Sequence, residues 1–317
     1  MSVANVILTH GDLDGMVSGI LLLQSLPADA TRIRITNGYH LARELGQAVA
    51  MERPPSQVLI ADIPLLVPMR SKVVSVLADL HARGVRVLIY DHHFGWDEAP
   101  EVPALCHVYC VETRKTTAAA LVWRERLQGN QGSQQWLRLL SEKSGSDDSA
   151  IRDRFGLLAA LMQPQHYQHN PAVLRALAAG GDLLPEYREL SAWYYDVHVP
   201  AERQLAEDAV ILETTSGRRL GWVDLRGVEG YHLLAPLIIA EHSVDAAVTV
   251  TDKEIIVGGS AVDQGVDLSV LHGQHTVGGT AISVGGHRSP VSMKPVGTRL
   301  VTDGFMEAAR TLLLERL

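Results

Sequence analysis

The sequence predicts an α/β protein with a parallel β-sheet in its first half and a smaller α/β domain towards its carboxyl end. Over the first hundred residues, short β-rich runs alternate with helical patterns, which is typical of a parallel sheet whose strands are joined by helices. A long helical pattern occupies the middle of the chain, and new strand candidates with a glycine-rich stretch follow Gly217.

The elements of the first domain follow one another in a regular order. Strands are predicted at 3–8, 33–36, 58–61, 85–90 and 106–111, and helices at 16–26, 41–51, 68–83 and 117–127. The last of these helices has Thr116 or Thr117 as its predicted N-cap, because threonine is a favoured residue at that position. A polar loop is predicted at 128–135.

A helical connector and a second domain are predicted for the rest of the chain. The connector pattern runs from about 185 to 209, with Pro200 as a candidate break. Strands are then predicted at 219–224, 246–251 and 254–257, with a closing helix at 304–316. We therefore predict a first domain at 1–185, a connector at 186–212 and a smaller α/β domain at 213–317.

Composition and charge exclude several classes of protein. The 317 residues are 46% hydrophobic and 20% charged, as expected of about two globular domains. No apolar run approaches the roughly 18 residues that span a bilayer, so we expect a cytoplasmic protein that does not bind membranes. The 28 Lys and Arg against 36 Asp and Glu give a formal charge of −8, which argues against a broad basic face for long nucleic acid.

Several kinds of active site are also excluded. Cys106 and Cys110 are the only cysteines, too few for a disulfide framework or a structural zinc site, and we predict that they are reduced core residues. The sequence has no serine-nucleophile elbow and no Walker loop, which argues against covalent serine chemistry and nucleotide-driven motors.

Carboxylates and histidines follow three of the predicted strands. Asp12 and Asp14 come after the first strand, Asp62 ends the third, and an Asp-His-His run ends the fourth at 91–93. Because ligands bind at the carboxyl ends of parallel strands, we expect these side chains to share one crevice. A carboxylate directly after an apolar strand, as at Asp62, needs a cation, and no Lys or Arg is adjacent in sequence. The pattern therefore predicts a metal site.

The ligand types indicate which ion this site would take. Carboxylate oxygens with imidazole nitrogens suit manganese, with magnesium or cobalt as substitutes, and three or four aspartates carry enough charge for two ions. Each motif alone has a structural alternative, such as a turn with an N-cap, a surface histidine pair or a helix cap. Their placement after neighbouring strands favours the metal site.

These residues resemble the motifs of a known family. The segments 9–15 (Thr-His-Gly-Asp-Leu-Asp-Gly), 61–63 (Ala-Asp-Ile) and 91–93 (Asp-His-His) are similar to the first three motifs of the DHH phosphoesterase superfamily. The segment 284–288 (Val-Gly-Gly-His-Arg) is similar to the Gly-Gly-Gly-His element of the DHH-associated domain in RecJ-type exonucleases and oligoribonucleases, with one glycine fewer and an arginine where a small residue is common. The resemblance implies a metal-dependent phosphoesterase with a carboxyl-terminal substrate-binding domain.

Two metal sites that share one ligand are implied by this resemblance. His10, Asp12 and Asp62 would hold one manganese ion. Asp14, His92 and again Asp62 would hold the second, so that Asp62 bridges the two ions.

The resemblance also implies further site residues. Asp91 and His93 would orient ligands or contact phosphate, and we predict them as the catalytic residues. The family's fourth motif is an aspartate that completes the second site, and its candidates here are Asp147 and Asp148, with Asp182 as the alternative.

Substrate binding is predicted at Thr116 and Thr117 and at the glycine-histidine element, which comprises Gly285, Gly286, His287 and Arg288. The segment 270–302 has no Asp or Glu, while Arg288, Lys294 and Arg299 are cationic. Its backbone N–H groups and positive charge would suit phosphate. The alternative interpretations are that the glycines make turns and that the threonines only cap a helix.

The functional hypothesis is an exonuclease or oligonucleotidase that releases nucleoside monophosphates from short RNA or DNA, or that opens linear or cyclic dinucleotides. A pyrophosphatase or exopolyphosphatase is one alternative, and the glycine-histidine element argues against it. A non-catalytic DHH subunit that binds nucleic acid is the other, and the intact ligand set argues against that. The negative charge favours short substrates over long strands, and a homodimer is compatible with the sequence.

Overall fold

Five parallel strands form the first sheet of the computed structural model, in the order β2-β1-β3-β4-β5. They are β1 (Asn5–Thr9), β2 (Thr31–Ile35), β3 (Gln57–Ala61), β4 (Arg86–Asp91) and β5 (His107–Cys110). The structure describes residues 3–93, 95–96, 99–110, 116–142, 146–163, 170–180, 185–228, 234–259, 266, 268–286, 291–298 and 300–317. The predicted α/β class and the parallel first sheet are confirmed.

The strand order reverses beside β1. The chain leaves β1 to form β2 on one side and returns to form β3 on the other side. Such a reversal opens a crevice at the carboxyl ends of the two central strands, because the helices that follow them leave in opposite directions. The residues after β1 and β3 therefore border this crevice, and those after β4 lie one strand further along.

Helices cover both faces of this sheet. They are α1 (Leu13–Gln24), α2 (Leu41–Val49), α3 (Arg70–Ala82), α4 (Val102–Leu105), α5 (Ala118–Arg126), α6 (Gln131–Glu142), α7 (Ser149–Leu161), α8 (Asn170–Ala178) and α9 (Pro185–Trp193). All five residues of β1 and of β3 are buried, as a strand between two helical layers requires. None of the helices in the described ranges has the length and apolar character to cross a bilayer.

The predicted loop at 128–135 is wrong in its second half, where α6 begins. The Asn130 side chain accepts a hydrogen bond from the backbone N–H of Ser133 at 3.2 Å, as an N-cap does. Ser133, Trp136 and Leu139 are buried along one side of the helix. Packing of this side outweighs the polar composition of the first turn.

The predicted connector contains a π-helical turn. The division between the two compact units, Met1–Tyr195 and Asp196–Leu317, lies within it, because the turn runs over Tyr194–His198 between α9 and α10 (Val199–Glu207). Pro200 lies in the first turn of α10, where a missing N–H is tolerated. The helical pattern is therefore interrupted before Pro200, not at it.

The second unit contains a seven-stranded sheet in the order β10-β11-β12-β9-β8-β7-β6. Its strands are β6 (Val210–Glu213), β7 (Arg219–Asp224), β8 (Ala246–Val250), β9 (Ile255–Gly259), β10 (Gly273–Val277), β11 (Thr280–Gly286) and β12 (Val291–Pro295), and its further helices are α11 (Leu234–His242) and α12 (Asp303–Arg316). Among the described strands of this second sheet, only β7 and β8 pair in parallel, and the other neighbouring strands pair antiparallel. Gly278 and Gly279 both have positive φ, 55° and 83°, and form the two-residue turn of the β10–β11 hairpin.

Candidate metal centre

The loop after β1 folds back on itself at the start of α1. Asp12 caps this helix, because its Oδ1 accepts a hydrogen bond from the Gly15 N–H at 2.9 Å, and its Oδ2 lies 2.8 Å from His10 Nδ1. Residue 15 must be glycine, since a Cβ there would lie 2.6 Å from the His10 carbonyl oxygen. The Asp-x-Asp-Gly motif is thus a helix cap. The cap positions two prospective metal ligands, His10 and Asp12, at the end of β1.

Asp62 lies at the end of β3 in a left-handed conformation, with φ of 58°. Aspartate tolerates this region better than most residues, at a cost of about 1–3 kcal/mol. The side chain is 1% exposed, and neither of its carboxylate oxygens accepts a hydrogen bond. Two imidazoles lie beside it: Asp62 Oδ1 lies 3.2 Å from His92 Nε2 and 3.8 Å from His93 Nδ1.

Asp14 joins this centre to the start of α5. Its two oxygens accept hydrogen bonds from the backbone N–H groups of Ala118 at 2.8 Å and Ala119 at 3.0 Å, where the helix dipole favours negative charge. Oδ2 also lies 3.5 Å from His92 Nε2. Burial and the nearby Asp12 carboxylate outweigh the amide bonds and raise the pKa of Asp14 to about 6.

Asp91 is fully buried and holds His93. Its Oδ1 accepts from both the backbone N–H and Nδ1 of His93, each at 2.6 Å. Its Oδ2 accepts from the indole N–H of Trp96 at 3.2 Å. Although burial opposes ionisation, the histidine partner lowers the pKa of Asp91 below its usual value.

The four carboxylates lack a cationic partner other than histidine. In the described chain, no Lys or Arg pairs with any of them. Burial raises the pKa of Asp62 well above its usual value, and the charges of Asp12 and Asp14 raise it further. Two of the four, Asp62 and Asp91, are buried, and Asp12 and Asp14 are partly exposed. Four carboxylates this close together are stable in ionised form only with added positive charge.

Two groups of three side chains have the spacing to hold a metal ion. His10, Asp12 and Asp62 form one group, and Asp62, His92 and His93 form the other; within each group the ligand atoms lie within 4.8 Å of one another. Both groups contain Asp62, whose carboxylate oxygens have no hydrogen-bond donor. Imidazole nitrogens and carboxylate oxygens in this number fit a divalent cation such as manganese.

The first group has the same members as the first predicted ligand set. The second group contains His93 in the position where Asp14 was predicted, while Asp14 still reaches His92 at 3.5 Å. The role of each of these residues as a ligand stays a prediction.

Two of the three predicted fourth-motif aspartates are among the described residues. Asp147 and Asp148 are exposed, and neither belongs to a group of three prospective ligands among the described residues. Asp148 caps α7 through the Ala150 N–H at 3.0 Å and lies 3.8 Å from Arg138. Asp182 lies outside the described residues.

The predicted substrate residues are only partly described. Thr117 is the N-cap of α5, with its Oγ1 accepting from the Ala120 N–H at 3.1 Å, and the Thr116 backbone hydrogen-bonds His92. Gly285 and Gly286 end β11, paired with β12, while His287 and Arg288 lie outside the described residues.

The positive charge predicted for the segment 270–302 is partly neutralised. Lys294 lies 3.2 Å from Glu254 on the neighbouring chain segment that leads into β9. The segment itself contains no Asp or Glu, but strand pairing brings Glu254 from outside the segment next to it. The cationic character of this surface is therefore weaker than the sequence predicted.

Comparisons with known proteins agree at the level of the fold. No family model matches the sequence, and no curated protein matches it. Among solved structures, the DHH domain of a protein that belongs to a family of ribosomal proteins is 14% identical, with a TM-score of 0.57, 98% of this chain covered and 87% of the other.

Two RecJ structures are also similar to this chain in fold, at low sequence identity. RecJ of Thermus thermophilus in complex with Mn²⁺ is 15% identical, with a TM-score of 0.56 and 98% of this chain covered, but the match spans only 51% of the RecJ chain. Exonuclease RecJ bound to manganese is 15% identical, with a TM-score of 0.50, and the match covers 98% of this chain and 89% of that one. At these identities the likeness shows the fold, and the fold of this chain is that of the DHH-domain proteins.

Proposed function

We propose that this chain is a phosphodiesterase that uses two divalent cations, with manganese as the preferred ion. It would act on short oligonucleotides or dinucleotides and release nucleoside monophosphates. The observation that carries the proposal is the pair of three-residue groups that share Asp62. An Asp whose buried oxygens have no hydrogen bond, between two sets of nitrogen and oxygen ligands, is suited to bridging two ions.

The chemistry such ions supply when bound is activation of water and stabilisation of negative charge on phosphate oxygens during in-line attack. The chain would hold the ligands for this in fixed orientations. Asp91 fixes the ring of His93 through Nδ1, and the start of α5 fixes the carboxylate of Asp14. Both are hydrogen bonds to carboxylates, and hydrogen bonds to an ionised carboxylate are stronger and more directional than neutral ones.

The substrate class rests on the similar structures and on the sequence. Two similar structures are RecJ proteins with manganese, and one of them is described as an exonuclease. The glycine-histidine element and Thr116 remain the predicted contacts for substrate phosphates. Short substrates are favoured because the chain is acidic overall, with a formal charge of −8.

A non-catalytic nucleic-acid-binding subunit and a pyrophosphatase are the alternatives. A subunit without catalysis has no use for two ligand groups built around a buried carboxylate, which costs stability when no cation is present. Catalysis is therefore the better explanation of a buried Asp62 whose oxygens accept no hydrogen bond. A pyrophosphatase would use the same centre, so a comparison of substrates separates it from a phosphodiesterase.

A hydrolysis panel tests the proposal. We expect the purified chain with manganese to release monophosphates from dinucleotides, short RNA and DNA oligomers or cyclic dinucleotides, and to leave pyrophosphate intact. Chelator should abolish the reaction. Hydrolysis of pyrophosphate alone would support the alternative enzyme, and binding of oligomers without turnover of any substrate would support the non-catalytic subunit.

A further inference from the structure

Trp96 connects two strand ends of the metal centre. Its side chain is fully buried, and its single indole N–H lies 2.9 Å from the Ile63 carbonyl oxygen and 3.2 Å from Asp91 Oδ2. One acceptor directly follows Asp62 in the chain, and the other is the carboxylate that holds His93. The donor is thus shared between the segment after β3 and the end of β4.

The backbone beside Trp96 is shaped for this contact. Gly95 has φ of 114°, a conformation for glycine, and a Cβ at this position would lie 2.5 Å from the Leu65 carbonyl oxygen. The chain after β4 therefore packs closely against the chain after β3. Asp62 itself has φ of 58°, and its backbone N–H donates to the Tyr90 carbonyl oxygen of β4 at 3.0 Å.

We propose that Trp96 is a positioning residue for the metal centre, an inference that rests on the proposed function. Its N–H fixes Asp91 Oδ2, so that Oδ1 stays aimed at His93, and it fixes the carbonyl that follows Asp62. Groups that orient metal ligands through such hydrogen bonds typically change metal affinity or activity by about 10–100-fold when they are removed. No sequence motif marks Trp96, since the role depends on a contact between two loops.

The substitution Trp96→Phe removes the donor and keeps an aromatic ring. Trp136→Phe is a matched control, because Trp136 is also buried in the first unit, but its indole nitrogen has no hydrogen-bond partner. Both variants lose similar ring volume. We expect Trp96→Phe to weaken manganese binding in calorimetry by about 10–100-fold and to lower kcat similarly, while Trp136→Phe leaves both within about twofold.

A second measurement does not need the ion. In the metal-free protein with ¹⁵N-labelled histidine, we expect the His93 Nδ1–H signal to be protected from solvent exchange in the parent chain and in Trp136→Phe, and to be lost to exchange in Trp96→Phe. Unchanged metal affinity or an unchanged His93 signal in Trp96→Phe would overturn the proposal. A parent chain that binds no manganese would instead overturn the proposed function, and the His93 signal would still decide the role of Trp96.

Discussion

Replacing Asp62 with asparagine is expected to lower kcat/KM by about a thousandfold or more. In the proposed mechanism this carboxylate is a ligand of both metal ions, and the two ions supply several kcal/mol of transition-state stabilisation. Asparagine is the appropriate substitution here. Asp62 has φ of 58°, which asparagine adopts readily, whereas alanine would add backbone strain to the loss of the ligand.

The same substitution is expected to raise the Tm of the protein in chelator. The Asp62 carboxylate accepts no hydrogen bond, and burial raises its pKa, which the charges of Asp12 and Asp14 raise further. An asparagine amide removes the charge and can donate to a neighbouring carboxylate. A substitution that simply damaged the fold would lower both Tm and activity, so opposite signs identify a ligand position.

Asp91→Asn provides the comparison. It removes the charged carboxylate that accepts hydrogen bonds from His93 and Trp96, and so we expect Tm in chelator to fall below that of the parent chain. We also expect the loss of kcat to be smaller than the loss in Asp62→Asn. Thermal melts and steady-state kinetics with manganese on both variants measure the difference. Equal kinetic losses would refute the assignment of Asp62 as the bridging ligand.

The first sheet was predictable from the sequence because its signals are local. Apolar runs such as 58–61 end at turns, and the five strands lie within two residues of their predicted bounds. The strand-end rule for parallel sheets also predicts that Asp12, Asp62 and Asp91 lie at one edge of the sheet. The proximity of these carboxylates follows from topology alone.

The remaining features depend on contacts between distant segments. The left-handed Asp62, the shared donor Trp96 and the amides of α5 that hold Asp14 leave no periodic pattern in the sequence. The same reason applies to the second sheet, where one parallel pair, β7 and β8, occurs among antiparallel neighbours in the described strands. Asp147 and Asp148 are the opposite case, because this acidic pair is visible in the local sequence. In the structure both residues are exposed, at the start of α7.

Metal titration is expected to show about two manganese ions bound per chain, because the two ligand groups share Asp62 but differ in their other members. Binding should also stabilise the fold. Each ion at a hundred times its dissociation constant adds about 2.7 kcal/mol if it binds only the folded chain, and it neutralises carboxylates that repel one another when no ion is present. We therefore expect Tm to rise with manganese concentration in the parent chain and to rise far less in Asp62→Asn.

Calorimetry with a parallel thermal melt measures both quantities, the number of bound ions and the rise of Tm. Fewer than one ion per chain at saturation, or an equal rise of Tm in parent and variant, would exclude a centre built around Asp62.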